Sequence, residues 1–277
     1  MEITDHLLDG ENITRQNSPN HSGVMADGVP DSVVIHYTAG GSLEGAVRTL
    51  CDPERSASAH VVVGREGEIV QLVPFNTIAW HAGKSSHQGR ESFNQFSVGI
   101  EIDNAGQLTK TEQGFSSWFG RNYSEEEVIH AVHQNRTEPD YWQKYSEEQI
   151  AAVFDLCTLL MQTYPIELIV GHEEISPSRK IDPGPAFPLD KLRERLLVKD
   201  RAEEGPDRLA DSGLVPGRTG IVTASRLNIR SEPGLRGRKV APALQQGTVL
   251  DILEEKDGWL RVDVQTRGWV KKDYVNL

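Results

Sequence analysis

The chain has 277 residues, more than one compact domain usually needs, so a large unit joined to a small one is expected. With 37% hydrophobic and 25% charged residues it can bury a core, which sets aside the disordered and membrane classes. The 41 acidic against 29 basic residues leave a formal charge of -12, which repels a phosphate backbone and excludes nucleic acid as the expected partner.

The chain opens Met1-Glu-Ile-Thr-Asp-His6, with no basic n-region and no apolar h-region. No later apolar run approaches the roughly 18 residues of a membrane span. No signal peptide is visible, so the expectation is a cytoplasmic protein, or one exported to the periplasm or cell wall by a signal-independent route. Residues 1–29 read as an N-terminal extension. Residues 31–38, after Pro30, form a β-branched run in which Val34, His36 and Thr38 share one face and Val33 and Ile35 the other. Residues 58–64 and 68–73 flank a Gly64-to-Gly67 turn and read as a hairpin, and residues 97–102 give a further strand.

About forty residues then separate Glu101 from the next periodic segment, and so long a connection is usually functional. It holds Trp118, Phe119, Tyr123, His130, His133, Tyr141 and Trp142, and is expected to cap the site and contact substrate. The i, i+3 spacing of His130 and His133 reads as a solvated helix face. Ser146 and Gln149 form a capping box ahead of Ile150, Val153, Phe154, Cys157, Leu160 and Met161, so an amphipathic helix is expected to end before Pro165. A strand over 167–171 and a short helix over 190–197 complete an α/β pattern over residues 30–197 with a mixed sheet flanked by helices.

Residues 198–216 have the composition of a linker. Over 217–277, short runs punctuated by Pro233-Gly234, Gln246-Gly247 and Asp257-Gly258 predict a small all-β barrel. Cys51 and Cys157 are too few for a disulfide framework and are expected to be free.

His36 in the first strand, His172 just after another and Asp182 in Lys180-Ile-Asp-Pro-Gly184 offer two imidazoles and a carboxylate. That is the donor set of a catalytic zinc, whose open position is left to water. Any one of them alone means little, since a strand histidine is more often a hydrogen-bonded core residue. Together, at strand ends and in a proline-stiffened turn, they favour Zn2+. Lys180 shares a side with Asp182 in an extended segment, where its cation suits an oxyanion. Glu101 interrupts an otherwise apolar strand, a costly placement for a carboxylate unless it is paired or used as a general base.

Six segments carry a resemblance: Val34-Ile-His-Tyr-Thr38, Ser58-Ala-His60, Ala79-Trp-His-Ala-Gly83, Val98-Gly-Ile-Glu-Ile102, Val170-Gly-His-Glu-Glu-Ile-Ser176 and Arg179-Lys-Ile-Asp-Pro-Gly184. In order and spacing they resemble the type 2 N-acetylmuramoyl-L-alanine amidases over roughly residues 30–195. The resemblance implies zinc held by His36, His172 and Asp182, with Glu101 and Lys180 catalytic. It implies hydrolysis of the amide between the N-acetylmuramic acid lactyl group and L-alanine, so the partner is peptidoglycan or a muropeptide. His60, Trp80, His81 and Asn104 are the expected substrate contacts, packing being an equal alternative for Trp80 and His81. Ala59 stands where the phage amidases and animal recognition proteins carry tyrosine, which sets the chain beside the bacterial branch. Residues 217–277 resemble bacterial SH3-like domains through Leu227-Asn-Ile-Arg-Ser-Glu-Pro-Gly234, Gly258-Trp259 and Thr266-Arg-Gly-Trp-Val270, which implies a wall-binding module. A receptor that binds wall fragments without cutting, or the same activity delivered as an antibacterial or phage lysis enzyme, stays open at this point.

Overall fold

The first 29 residues pack as short strands against the main unit rather than trailing from it, and one of those strands joins the main sheet. In the computed structural model, β1 (Glu2–Thr4) and β2 (Leu7–Asp9) form a hairpin, and β3 (Ile13–Arg15) runs parallel to β7 (Ile69–Gln71) as an edge strand. β4 (His21–Val24) pairs antiparallel with β8 (Thr77–Ala79). Leu8 is buried in the main core, and its N–H donates to Gln71 Oε1 at 2.7 Å. The expected extension is therefore structural: its apolar residues are spaced too sparsely to announce a strand, and they gain their core contacts only from partners some sixty residues away.

The remaining elements of this unit are β5 (Ser32–Tyr37), α1 (Leu43–Leu50), β6 (Val61–Val63), the short ribbon β9 (Ser86–His87) and β10 (Arg90–Glu91), β11 (Ser97–Ile102), β12 (Gln107–Thr111), β13 (Gly114–Ser116), β14 (Asn122–Tyr123), β15 (Val128–Val132), β16 (Pro139–Gln143), α2 (Glu147–Thr163), β17 (Leu168–Gly171), α3 (His172–Ile175) and α4 (Leu189–Leu197). The six-stranded sheet has the order β17-β5-β11-β6-β7-β3; β17, β5, β11 and β6 are mutually parallel, and β6 with β7 is the antiparallel hairpin expected from the Gly64-to-Gly67 turn.

Alternation divides the work of the two faces. Val33, Ile35, Val98, Ile100 and Ile102 join the core that contains Val153, Leu156, Cys157 and Leu160 of α2. Each such aliphatic side chain, fully buried, contributes about 2 kcal/mol. The other residues of the same strands, Val34 and His36 on β5 and Gly99 and Glu101 on β11, face the opposite side. α2 starts at the expected place, with Ser146 Oγ accepting from Gln149 N–H and the Gln149 side chain accepting from Ser146 N–H. It ends at Tyr164, ahead of Pro165.

The long connection after Glu101 is not a loop with a helical histidine pair. It is a five-stranded antiparallel sheet of order β14-β13-β12-β16-β15, in which His130 lies on a strand and His133 just beyond its end. The strands are short and largely polar on one side, so neither period dominates the sequence.

The structure describes residues 1–112, 114–197, 218–222, 226–233, 238–240, 244–245, 248–256, 259–263, 268–271 and 275–276, and the chain divides into units Met1–Lys199 and Asp200–Leu277. The expected linker, 198–216, lies outside the described residues. The second unit contains β18 (Arg218–Val222), β19 (Arg226–Leu227), β20 (Leu244–Gln245), β21 (Val249–Lys256), β22 (Trp259–Asp263), β23 (Gly268–Lys271) and β24 (Val275–Asn276). Five of these form an antiparallel sheet, β23-β22-β21-β18-β24, over a core of Val222, Leu227, Ile229, Leu250, Ile252, Leu260 and Val262. Trp259 is buried; the side chain of Trp269 lies outside the described residues. Both cysteines are free. Among the described residues, no helix is long and apolar enough to cross a membrane.

Candidate active site

His36 projects from β5 on the face opposite α2, His172 opens α3 directly after β17, and Asp182 lies in the turn beyond α3. Because β5 and β17 are adjacent and parallel, the two imidazoles meet, with their Nδ1 atoms 2.8 Å apart. Asp182 Oδ2 is 3.1 Å from His36 Nδ1 and 3.0 Å from His172 Nδ1, and all three residues are buried.

The protons around this cluster can be assigned from its neighbours. His172 Nε2 faces the Ala82 carbonyl at 3.1 Å and must donate to it, so in the neutral ring Nδ1 carries a lone pair. Ser97 spends its hydroxyl proton on the Phe93 carbonyl, so its oxygen and its own carbonyl both accept from His81 Nε2. His81 Nδ1 is then an acceptor, and His36 Nε2, 3.0 Å away, donates to it. His36 Nδ1 is thereby left as a lone pair as well. Two nitrogen lone pairs and a carboxylate oxygen converge with no proton among them, an arrangement that calls for positive charge at their meeting point. An N,N,O donor set with outer-shell partners on both imidazoles fits a divalent cation such as zinc.

Burial and mutual charge also act on the cluster. Burial, and next the charge of His172, bring the His36 pKa down to about 4. Burial opposes ionisation of Asp182, but the two histidines outweigh it and hold its carboxyl below the ordinary range.

Glu101 lies directly beside His36 in the parallel register of β11 and β5, on the same face. Its Oε2 is sealed from solvent and has no hydrogen-bond partner among the described residues. Burial and then the Asp182 charge push its pKa well above the usual 4.5, while the Lys180 ammonium pulls the other way. The same ammonium also bears on His36, so Lys180 lies within electrostatic reach of both residues.

The four expected substrate contacts have other surroundings. His60 is fully buried, with Nε2 donating to the Thr77 carbonyl and Nδ1 accepting from Gly99 N–H, at 2.8 and 2.9 Å. Asn104 is buried too; it donates to the Gln143 and Lys144 carbonyls and accepts from Gly106 N–H. Both are clamps between strands, with no polar atom free for a ligand. His81 is the partner that orients His36, and it lies so close to β11 that a Cβ on Gly99 would come within 2.4 Å of its ring. Trp80 is half-buried and donates from Nε1 to Ser22 Oγ at 2.7 Å.

A cavity of about 540 Å³ instead runs from Glu101 past the 38–41 loop and α1 to Trp118 and Phe119. Trp118 is 78% exposed, and its indole N–H is spent on the Ala39 carbonyl at 2.8 Å, so what it offers the groove is its flat apolar face. Phe119 packs on Gly41, and Arg121 donates to the Gly41 carbonyl, so the β13–β14 turn leans over the loop. The sequence signal for this rim was the aromatic pair in Gly114-Phe-Ser-Ser-Trp-Phe-Gly120, in the segment expected to contact substrate.

Comparison with known proteins now adds to the geometry. A family model described as N-acetylmuramoyl-L-alanine amidase matches residues 26–185, and one described as a bacterial SH3 domain matches residues 225–276. The 1,6-anhydro-N-acetylmuramyl-L-alanine amidase AmpD of Escherichia coli (strain K12) is 38% identical over 203 residues, covering 66% of this chain and 91% of the relative. The N-acetylmuramoyl-L-alanine amidase AmiD of the same organism is 31% identical over 172 residues, covering 59% of this chain and 52% of that protein. A crystal structure of a selenomethionine AmpD derivative superposes with a TM-score of 0.51 at 30% identity, covering 71% of this chain and 99% of that one. With the family model spanning more than half the chain and its six motif segments folded around one cluster, the chain belongs to the N-acetylmuramoyl-L-alanine amidase family, with a bacterial SH3 domain at its C-terminal end.

Proposed function

We propose that the chain is a zinc-dependent hydrolase of the amide between the lactyl group of N-acetylmuramic acid and L-alanine, acting on peptidoglycan fragments that include the 1,6-anhydro form specified by the name of AmpD. The observation that carries this reading is the convergence of three unprotonated donor atoms beside a sealed, unpartnered carboxylate at the end of a groove. Zinc held by His36, His172 and Asp182 supplies Lewis-acid chemistry toward an amide carbonyl and water. Glu101 takes a proton from the attacking water at Oε2 and returns it to the departing amine nitrogen, a role its raised proton affinity suits. Lys180 places positive charge where the carbonyl oxygen turns anionic. The groove ending at Trp118 holds one arm of the substrate, and the SH3 unit holds wall peptide, raising the local substrate concentration.

The test is zinc content together with mass spectrometry of a purified anhydro-muropeptide after incubation with wild type, Glu101→Ala and Asp182→Ala. Wild type binds one equivalent of zinc and releases peptide beginning at L-alanine. Glu101→Ala keeps the zinc and loses about 10²- to 10⁴-fold in rate. Asp182→Ala loses both. Zinc binding without cleavage by wild type moves the reading to a receptor, and wild-type activity indifferent to a chelator removes zinc from it.

A further inference from the structure

The β15–β16 end of the second sheet grips the turn that carries Asp182. His133 is fully buried; its Nδ1 accepts from Asn135 N–H at 3.1 Å, so Nε2 bears the proton and donates to Glu173 Oε2 at 2.6 Å. The same Oε2 accepts from Gly184 N–H at 3.1 Å, two residues past Asp182, while Oε1 accepts from the Gln134 amide at 2.8 Å. On the near side, Glu173 N–H donates to the Asp182 carbonyl at 2.8 Å. Tyr145 closes the bracket by donating its hydroxyl to the Pro183 carbonyl at 2.7 Å. Gly184 adopts a φ of +71°, and a Cβ there would lie 3.0 Å from the Trp142 ring, which in turn stacks on His133 at 5.6 Å.

We infer that His133, acting through Glu173, is a positioning residue that holds the Asp182 turn in its metal-binding place. Resting as it does on the reading of His36, His172 and Asp182 as metal ligands, this gives the sheet between Glu101 and α2 a second role beside its groove rim. A ligand carboxylate on a short turn binds well only if the backbone on both sides is fixed, since drift of its oxygen by a few tenths of an ångström weakens the shared bond geometry. Among the described residues, the Asp182 carboxylate has no side-chain hydrogen bond from outside the ligand set, so its orientation is delegated to the backbone of residues 182–184 and to the groups that hold it.

The experiment uses the full chain stripped of metal and measures Zn2+ affinity by competition with a chromophoric chelator, alongside the melting temperature of the metal-free protein. His133→Phe keeps a ring against Trp142 but loses the donor; His133→Gln keeps a donor near the Nε2 position; Leu160→Ala, in the α2 core, weakens the fold without touching the turn. The expected result is affinity about 10- to 100-fold weaker for His133→Phe, substantially restored in His133→Gln and unchanged in Leu160→Ala despite its lower melting temperature. Equal affinity in His133→Phe and wild type overturns the inference, as does a Leu160→Ala loss as large as that of His133→Phe. If His133→Phe does not fold, Glu173→Ala decides in its place, and wild-type affinity there overturns it. Failure of the underlying metal reading is distinct: wild type itself then binds no zinc, and the positioning role falls with it.

Discussion

Glu101 occupies a position that the fold alone would not favour. A carboxylate with one oxygen sealed and the Asp182 charge near it raises the free energy of the native state whenever it is ionised. Its folded-state pKa lies above its ordinary 4.5, so this cost is absent below that pH and grows as pH rises toward the folded value. Glu101→Gln therefore raises the melting temperature of the metal-free protein at pH 7, the gain disappearing below about pH 4.5, while abolishing cleavage. A melting temperature unchanged at pH 7 contradicts a strained carboxylate. Trp118 is the opposite case, exposed and contributing little to the fold. Trp118→Ala is expected to raise KM about fivefold with kcat nearly unchanged and to leave the melting curve in place; a loss confined to kcat removes Trp118 from substrate binding.

Residue chemistry was the most legible layer. His36, His172 and Asp182, which the structure gathers into one cluster, could be picked out from residue type and from their places at strand ends and in a rigid turn, because two imidazoles and a carboxylate at such points suit a metal. His60 and Asn104 could not be separated from them. His60 ends one resembling segment and Asn104 stands two residues past another, and what makes them clamps is backbone partners 39 residues away in each case, at Gly99 and Gln143, which no local pattern displays.

At the scale of elements, α2 was legible because three signals agreed: a capping box, an apolar stripe and a terminating proline. Ser146 Oγ also donates to the Arg65 carbonyl, tying the helix start to the β6–β7 turn. Ser146→Ala is expected to lower unfolding free energy by about 1 kcal/mol, measured by urea titration, with zinc affinity unchanged; a loss of affinity there contradicts the separation of this cap from the site. The sheet β12–β16 was not legible. Its strands are two to five residues long, and one of them begins at Pro139. Their stability comes from ring contacts such as the cross-strand pair His130 and Tyr141 and the approach of Phe115 to Tyr141 over β12, contacts that exist only after pairing. The same is true of β3, a three-residue edge strand whose register depends wholly on β7.

Across the whole molecule, division into an α/β unit and a small β unit followed from length and turn spacing, while the placement of residues 1–29 did not. Burial of histidines gives the larger unit a pH response. Burial, ahead of any other cause, lowers His36 and His60 to about 4 and His81 well below 6.5. These rings are neutral in the fold, so their contribution is complete above pH 6.5. As pH falls toward 4 the unfolded chain takes up protons that the fold refuses, and stability drops, by about 1.5 kcal/mol for each of His36 and His60 between pH 6.5 and 5, with His81 acting in the same direction. For the metal-free protein, the urea midpoint is expected to fall sharply from pH 7 to pH 5; a flat midpoint over that range refutes neutral burial.

The parallel order of β17, β5 and β11 has a kinetic side. His36 and His172 are 136 residues apart in the chain, and the strands that bring them together cannot pair through a hairpin. Contacts of such separation form slowly and late, after the entropy of closing long loops has been spent. The cluster of His36, His172 and Asp182 is consequently expected to form late and not to seed folding. A metal bound there would be captured by a chain that has already found its topology, and it would work as a latch, slowing escape from the native state while leaving the speed of arrival unchanged.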